Sequence, residues 1–338
     1  MDIYKKFILE FDSVVRQLCT EFDNKGDIEL QEMYMYAVRT GRRYRPMLLL
    51  TGKLIGDASY DGTSLKLAAA VEIIHKYSLI LDDYVDSDPL RRGETTYYQK
   101  YGRNNAQAMS AYLINLLFRQ MKLIRDDFMD DLRLQSIMSL YEEILSDMSV
   151  GFISDLNKKS RDVRGIRKIS DMQTSTLLRN SLLIGFVSSD FYASNECAFL
   201  YKTLCELGND IGTVFQAYND IEVFFDSKYQ MENKGHLFPD FVDNRKNIVL
   251  SKVPFRIVNN RETSELMEYI NRNHLFEEVF MEMQDVLTDI RAKISLLPNE
   301  SAGKQFLVKF IEEKEKVILD LSKTDIMGFD DTNQINAI

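Results

Sequence analysis

The sequence is sparing with residues that break or staple a chain. Only 15 glycines and 5 prolines fall among 338 residues, so turns are few and long regular elements must fill most of it. Three cysteines, Cys19, Cys197 and Cys205, form no metal-spacing pair, and so sparse and odd a count argues for reduced thiols rather than a disulfide framework. Basic blocks are missing too. With 42 basic against 52 acidic residues, a formal charge of -10, the chain is unsuited to nucleic acid or an anionic membrane surface as its main partner. No apolar run reaches the roughly 18 residues of a membrane span. The opening MDIYKKFILEFDSVV carries charges where a signal peptide needs an apolar stretch. A cytoplasmic protein without a transmembrane segment is expected.

Alternating strands, repeats and Ser/Gly linkers are also absent, and what remains is helical. In SLKLAAAVEIIHKYSLILDDYV, LIRDDFMDDLRLQSIMSLYEEILSDM, ECAFLYKTLCELGNDIGTVFQAYNDI and LFEEVFMEMQDVLTDIRAKISLL, apolar residues return every three or four positions. IGDASYDGTS, DSDPLRRGETT, SRDVRGIRK, DSKYQMENKGHLFPDFVDNRKN and LPNESAGK read as loops between about ten helices. The expected fold is all-α, a single large helical bundle domain over residues 1–322. The tail, 323–338, is expected to be disordered or a small cap.

One stretch, LILDDYVDSDPLRRG at 79–93, sets aspartates and two arginines directly after an apolar run. If the helix begins at Ser64, Asp82 and Asp86, four apart, share its face and Asp83 flanks them. Such like charges repel unless they are solvated, paired with Arg91 and Arg92, or bridged by a divalent cation. Mg2+ is commonly held by one or two carboxylates plus substrate phosphates, whereas an EF-hand is excluded because the acids miss its alternate positions and its central Gly. Pro89 ends the helix and leaves Arg91 and Arg92 just beyond the acids, where guanidinium forks suit phosphate. His75 lies seven residues before Asp82, two turns and about 10.5 Å along the same face. Upstream, TGRRYRP gathers Arg42, Arg43 and Arg45, three guanidiniums in search of an anion. Downstream, Gly208, Gly212, Gln216 and Asp220 form one stripe along an apolar helix. Two mid-helix glycines cost about 1 kcal/mol each relative to Ala, a cost that close helix packing or room for a ligand would justify.

Together these segments resemble the trans-isoprenyl diphosphate synthases, or polyprenyl synthetases. DDYVD matches the family's first aspartate-rich motif DDxxD and PLRRG its arginine pair. GRRYRP stands for GKxxRP, VEIIHKYSLILDD for the segment with its His, and LGNDIGTVFQAYND for LGxxxGxxFQxxDD. The resemblance implies an all-α isoprenoid synthase bundle around a central cavity, a homodimer, and a Mg2+-dependent prenyltransferase. By resemblance, Asp82, Asp83, Asp86 and Asp220 are the metal ligands, with Asp82, Asp86 and Arg91 catalytic at an allylic diphosphate. Arg42, Arg45, His75 and Arg92 would bind isopentenyl diphosphate. Thr174, Gln216, Arg245 and Lys246 are further substrate contacts, and Tyr77 and Ser78, before the first motif, would set a short product of about C15 to C20. Such a reaction needs no side-chain nucleophile, because metal ions neutralise the leaving diphosphate and an apolar cavity shields the allylic cation.

The second half departs from the family pattern. NDIEV has Asn219 and Val223 where the second motif has aspartates, Gln173 stands for a Lys, Asn244-Arg245 stands for Gly-Lys, and the Gly-Asp pair expected near Ser110 and Ala111 is missing. Glu222 and Asp226 are the candidate surrogate acids. Two alternatives therefore accompany the chain-elongating synthase: an isoprenyl transferase acting on a small pheromone peptide, and a non-catalytic subunit of a heteromeric synthase.

Overall fold

A computed structural model describes residues 3–22, 27–128, 132–157, 162–194, 197–225, 227–235, 237–242, 245 and 247–323. Among them the order is α1 (Ile3–Phe22), α2 (Ile28–Val38), α3 (Tyr44–Gly56) and α4 (Gly62–Asp86), then a hairpin of β1 (Leu90–Arg91) and β2 (Glu94–Thr95). There follow α5 (Tyr97–Tyr101), α6 (Arg103–Asp127), α7 (Leu132–Leu156), α8 (Val163–Ser170), a π-helical turn (Asp171–Ser175) and α9 (Thr176–Val187). The second half comprises α10 (Cys197–Glu222), α11 (Ser227–Lys234), α12 (Pro239–Val242), α13 (Phe255–Asn260), α14 (Thr263–Arg272), α15 (Leu275–Ser295) and α16 (Ala302–Leu321). The expected all-α bundle is the fold.

The centre of the bundle is made by helices that are apolar on nearly every side. From Leu177 to Val187 every residue of α9 is buried, and α3 buries Leu48, Leu49, Leu50 and Leu54. These two helices cross at glycines: a Cβ on Gly52 would come within 1.9 Å of the Leu182 carbonyl oxygen, and one on Gly185 within 1.8 Å of that of Leu49. Only hydrogen fits there. Helix α4 passes beside them with Leu67–Ile74 buried, and its start is fixed by Asp61, whose carboxylate accepts from Ser64 N (2.8 Å) while Ser64 Oγ accepts from Asp61 N (3.3 Å). This capping box starts the helix at Gly62, two residues before the expected Ser64. Ser87, in the left-handed region at φ 58°, ends it directly after Asp86.

Three expectations need correction. SRDVRGIRK is mostly helix α8, because Asp162 accepts from Gly165 N at 2.7 Å and caps it. The region 226–247 contains the short helices α11 and α12, and DSDPLRRGETT is a hairpin, paired Leu90 with Thr95 and Arg91 with Glu94. Arg92 and Gly93, at φ 55° and 76°, make its turn. The tail lies outside the described residues from 324 onward. No described helix is long and apolar enough to cross a membrane.

The glycine stripe on α10 serves close approach. A Cβ on Gly208 would meet Arg179 Cα at 2.6 Å, and one on Gly212 would meet Ser175 Cα at 2.5 Å, so α10 lies almost backbone to backbone on α9 and the π-turn. Gly212→Ala gains about 1 kcal/mol of helix propensity, but pressing a methyl into backbone costs typically about 1–3 kcal/mol. We expect a lower melting temperature; an unchanged or higher value would show that the helices can part without cost.

Candidate active site

A cavity of about 940 Å³ opens among α3, α4, α7, the π-turn, α10 and α16. Of the residues singled out in the sequence, Arg42, Arg45, His75, Ser78, Asp82, Asp86, Arg91, Arg92, Thr174, Gln216, Asp220 and Arg245 line it. Tyr77 and Asp83 do not. Lys246, Asn244 and Asp226 lie outside the described residues.

The acidic patch comes from the last turns of α4. Asp82 and Asp86 share one face, as the spacing predicts, whereas Asp83 turns inward with its side chain 6% exposed. Arg91 binds across the pair, Nη2 donating to Asp82 Oδ2 at 2.6 Å and Nε to Asp83 Oδ1 at 2.5 Å. Burial pushes the Asp83 carboxyl up to about 6 although Arg91 pulls it down. Burial and the neighbouring Asp82 raise Asp86 to about 7. Asp83 therefore anchors the hairpin arginine and is not placed as a cavity ligand, which corrects its expected metal role. Arg245 closes the other side of the patch, with Nη2 2.7 Å from Asp88 Oδ1 and 3.0 Å from the Asp86 carbonyl, and Nη1 3.4 Å from Asp86 Oδ2. Asp88, buried at 3% exposure, was not singled out in the sequence; its only signal was its place two residues after Asp86.

On α10 the polar end of the stripe forms one chain of hydrogen bonds. Thr174 Oγ1 donates to Gln216 Oε1 (2.9 Å), Gln216 Nε2 donates to Asp220 Oδ1 (2.6 Å), and Ile248 N donates to Asp220 Oδ2 (2.8 Å). Asn247 Nδ2 binds the Asp220 carbonyl at 2.7 Å. Asp220 thus ties the π-turn and the 247–250 segment to α10, with both carboxylate oxygens already accepting. Beside it, Asn219, Val223 and Gln173 line the cavity without charge, and Glu222 accepts from the Tyr218 hydroxyl at 3.0 Å.

The basic patch lies two turns away along α4. Arg45 Nη1 sits 3.0 Å from His75 Nε2, and burial together with Arg45 holds His75 well below its ordinary value, so the ring is neutral. Its Nε2 accepts and the guanidinium donates. Burial also brings Arg45 down to about 10, still charged at neutral pH. Among the described residues, no carboxylate stands within ion-pair distance of Arg45 or Arg92. Arg43 departs from the expected trio, since it turns away from the cavity to Asp12 and Glu72.

Mg2+ is the ion that the DDxxD resemblance implies. The described residues contain no group of three His, Cys, Asp or Glu able to hold a metal by themselves. Asp82 and Asp86 nevertheless fit a Mg2+ that takes its remaining ligands from a diphosphate and water. Both carboxylates face the cavity, and partial burial beside a like charge makes Asp86 favour a cation.

The all-α bundle thus brings a paired-carboxylate patch and a guanidinium patch together in one cavity. The chain belongs to the polyprenyl synthetase family: the family model described as Polyprenyl synthetase matches residues 27–284. It is similar to hexaprenyl pyrophosphate synthase of Saccharolobus solfataricus, 30% identical over 220 residues, 64% of this chain and 70% of that protein. Farnesyl diphosphate synthase of Bacillus subtilis is 28% identical over 228 residues, 64% of this chain and 74% of its own. The fold matches a Helicobacter pylori geranyltransferase solved with magnesium and isoprenyl diphosphate, at TM-score 0.67 and 18% identity over 93% of this chain and 96% of that one. The chain is thus a prenyltransferase.

Proposed function

We propose that this enzyme condenses an allylic diphosphate with isopentenyl diphosphate in a Mg2+-dependent reaction. The observation that carries the reading is the cationic pair Arg45 and Arg92, which lines the cavity with no carboxylate partner among the described residues. Arg92 is exposed, but Arg45 is half-buried, and a charge held so without a counter-ion is costly unless an anion arrives. Isopentenyl diphosphate supplies it, bound by Arg42, Arg45 and Arg92, with His75 orienting the Arg45 fork. Asp82 and Asp86 would hold the metal, and Arg91 and Arg245 flank the place of the allylic diphosphate. Bound there, the ion would supply charge neutralisation for the leaving diphosphate. Thr174 and Gln216 border the reacting carbon, and Leu79, Phe152, Val214 and Phe215, which also line the cavity, exclude water from the cation. Arg45 and Arg92 keep the second substrate in line for attack by its double bond.

Asp220 is a ligand only if each oxygen adds the metal to the hydrogen bond it already accepts, so we assign the main metal-binding charge to Asp82 and Asp86. We place the protein in the cytoplasm as a homodimer, a state that suits the apolar side chains left open on α6 and α7, Phe118 at 63% and Ile153 at 55% exposure. A cavity near the upper end of the roughly 300–1,000 Å³ common for small-ligand sites suits two diphosphates and a short product of about C15 to C20. Ser78 lines that cavity and Tyr77 does not, so of the two expected chain-length positions we assign the role to Ser78. Ser78→Phe should shorten the product and Tyr77→Ala should leave it unchanged. A longer product from Tyr77→Ala in chain-length analysis would restore the first assignment.

The activity is tested by incubating the protein with Mg2+, isopentenyl diphosphate and dimethylallyl, geranyl or farnesyl diphosphate, with products read by mass spectrometry. Elongation by five-carbon units is expected. Transfer only to an added tryptophan-containing peptide would replace this reading with the peptide transferase.

A further inference from the structure

Among the described residues the most completely buried charge stands beside the basic patch. Glu72, 1% exposed, lies on α4 one turn before His75, and Lys76, 3% exposed, follows it. Glu72 Oε1 accepts from Arg43 Nη1 at 2.5 Å and stands 3.6 Å from Lys76 Nζ. Arg43 itself is over-determined: Nε donates to Asp12 Oδ1 at 3.0 Å and Nη2 to the Val38 carbonyl at 2.9 Å, and its backbone is left-handed at φ 54°. Lys76 Nζ donates to the Thr40 carbonyl. Between them Gly41 sits at φ 141°, a backbone conformation that favours glycine, and a Cβ there would crowd Lys76 Nζ at 3.3 Å. One stretch of α4, residues 72, 75 and 76, therefore holds the segment Thr40–Arg45 at three points: Glu72 to Arg43, Lys76 to Thr40 and His75 to Arg45.

This arrangement does more than join α1, α3 and α4. A non-glycine residue at positive φ is strained and persists only where its surroundings impose it. Here the imposed turn reverses the chain between neighbours, sending Arg43 inward while Arg42 and Arg45 on either side line the cavity. Without that turn the alternation of directions is lost, and the two cavity arginines regain rotameric freedom that binding must remove.

We propose that Glu72 is a positioning residue for isopentenyl diphosphate, fixing through Arg43 and Lys76 the turn that presents Arg42 and Arg45 to the substrate. The inference rests on the assignment of that diphosphate to the basic patch. Glu72 touches no substrate; it acts by holding the arginine segment.

The test uses the full chain with Glu72→Gln, which keeps an acceptor near Arg43 and removes the charge. Because the lost preorganisation weakens charge-assisted contacts to the diphosphate, the KM for isopentenyl diphosphate should rise about tenfold. The KM for the allylic diphosphate and kcat should stay within about twofold. Arg43→Lys, which preserves charge but not the forked contacts, should show the same split and decides the matter if Glu72→Gln does not fold. Lys53→Met serves as the structural control, because Lys53 is also buried and paired, to Asp57 at 2.6 Å, at the other end of α3. It should lower the melting temperature and move neither KM. A folded Glu72→Gln protein with unchanged KM for isopentenyl diphosphate, or with both KM values raised alike, overturns the proposal. Wild-type protein that fails to bind isopentenyl diphosphate in calorimetry overturns the site assignment beneath it, a separate result.

Discussion

Asp82→Asn and Asp86→Asn should each lower turnover by on the order of 10³-fold or more, because the metal contributes several kcal/mol of charge stabilisation in such reactions. The fold should survive both changes. Asp82 and Asp86 repel each other across one helical turn, and removing either charge relieves that repulsion while leaving the apolar face of α4 untouched. Arg91 keeps Asp83 as its partner in Asp82→Asn, at 2.5 Å, so the hairpin stays in place. Helical circular dichroism should be unchanged and the melting temperature equal or slightly higher. Asp82→Asn with wild-type turnover at limiting Mg2+ would show that the catalytic ion is held elsewhere.

The second large effect is expected from Arg45→Met. The substitution roughly keeps the reach of the side chain and removes a guanidinium that has His75 Nε2 at 3.0 Å but no carboxylate partner among the described residues. Without substrate this should be neutral or stabilising, because the uncompensated charge is lost while a flexible apolar chain fills the space. With substrate the effect reverses. One or two charge-assisted hydrogen bonds at roughly 1.5–3 kcal/mol each correspond to a loss of isopentenyl diphosphate affinity of about 10²–10³-fold. Thermal unfolding and calorimetry on the same preparation separate the two signs. A protein that loses stability and keeps its affinity would make Arg45 structural.

The fold and half of the site are legible in the sequence for plain reasons. Helical periodicity follows from burial on one face, and in α4 it ends where Ser87 and Pro89 stop the helix, so Asp82 and Asp86 could be placed on one face without coordinates. The motif order likewise located Arg42, Arg45, His75, Gln216 and Asp220 around one cavity. What stayed hidden depends on where a side chain turns once its helix is packed. Asp82 and Asp83 are neighbours in sequence, yet one faces the cavity and the other is sealed beneath Arg91. Arg42, Arg43 and Arg45 looked equivalent until the left-handed turn at Arg43 sent the middle one to Glu72. Tyr77 lies five residues before Asp82 on the same helix yet does not line the cavity, and the pairing of Arg245 with Asp88 joins segments 157 residues apart. The capping box at Asp61 starts α4 at Gly62, two residues before the Ser64 that the apolar periodicity suggests.

The central claim is that one cavity holds two diphosphates by different chemistry, one through metal and carboxylates and the other through guanidiniums alone. Calorimetric titration of each substrate with and without Mg2+ tests it most directly. Isopentenyl diphosphate should bind with nearly the same affinity in chelator as in Mg2+, and Arg45→Met should abolish that binding. An unreactive thio-analogue of geranyl diphosphate should bind only with Mg2+, and at high Mg2+, because Asn219, Val223 and Gln173 supply no charge to supplement Asp82 and Asp86. Equal dependence of both ligands on Mg2+, or tight binding of the allylic analogue in chelator, would contradict the account.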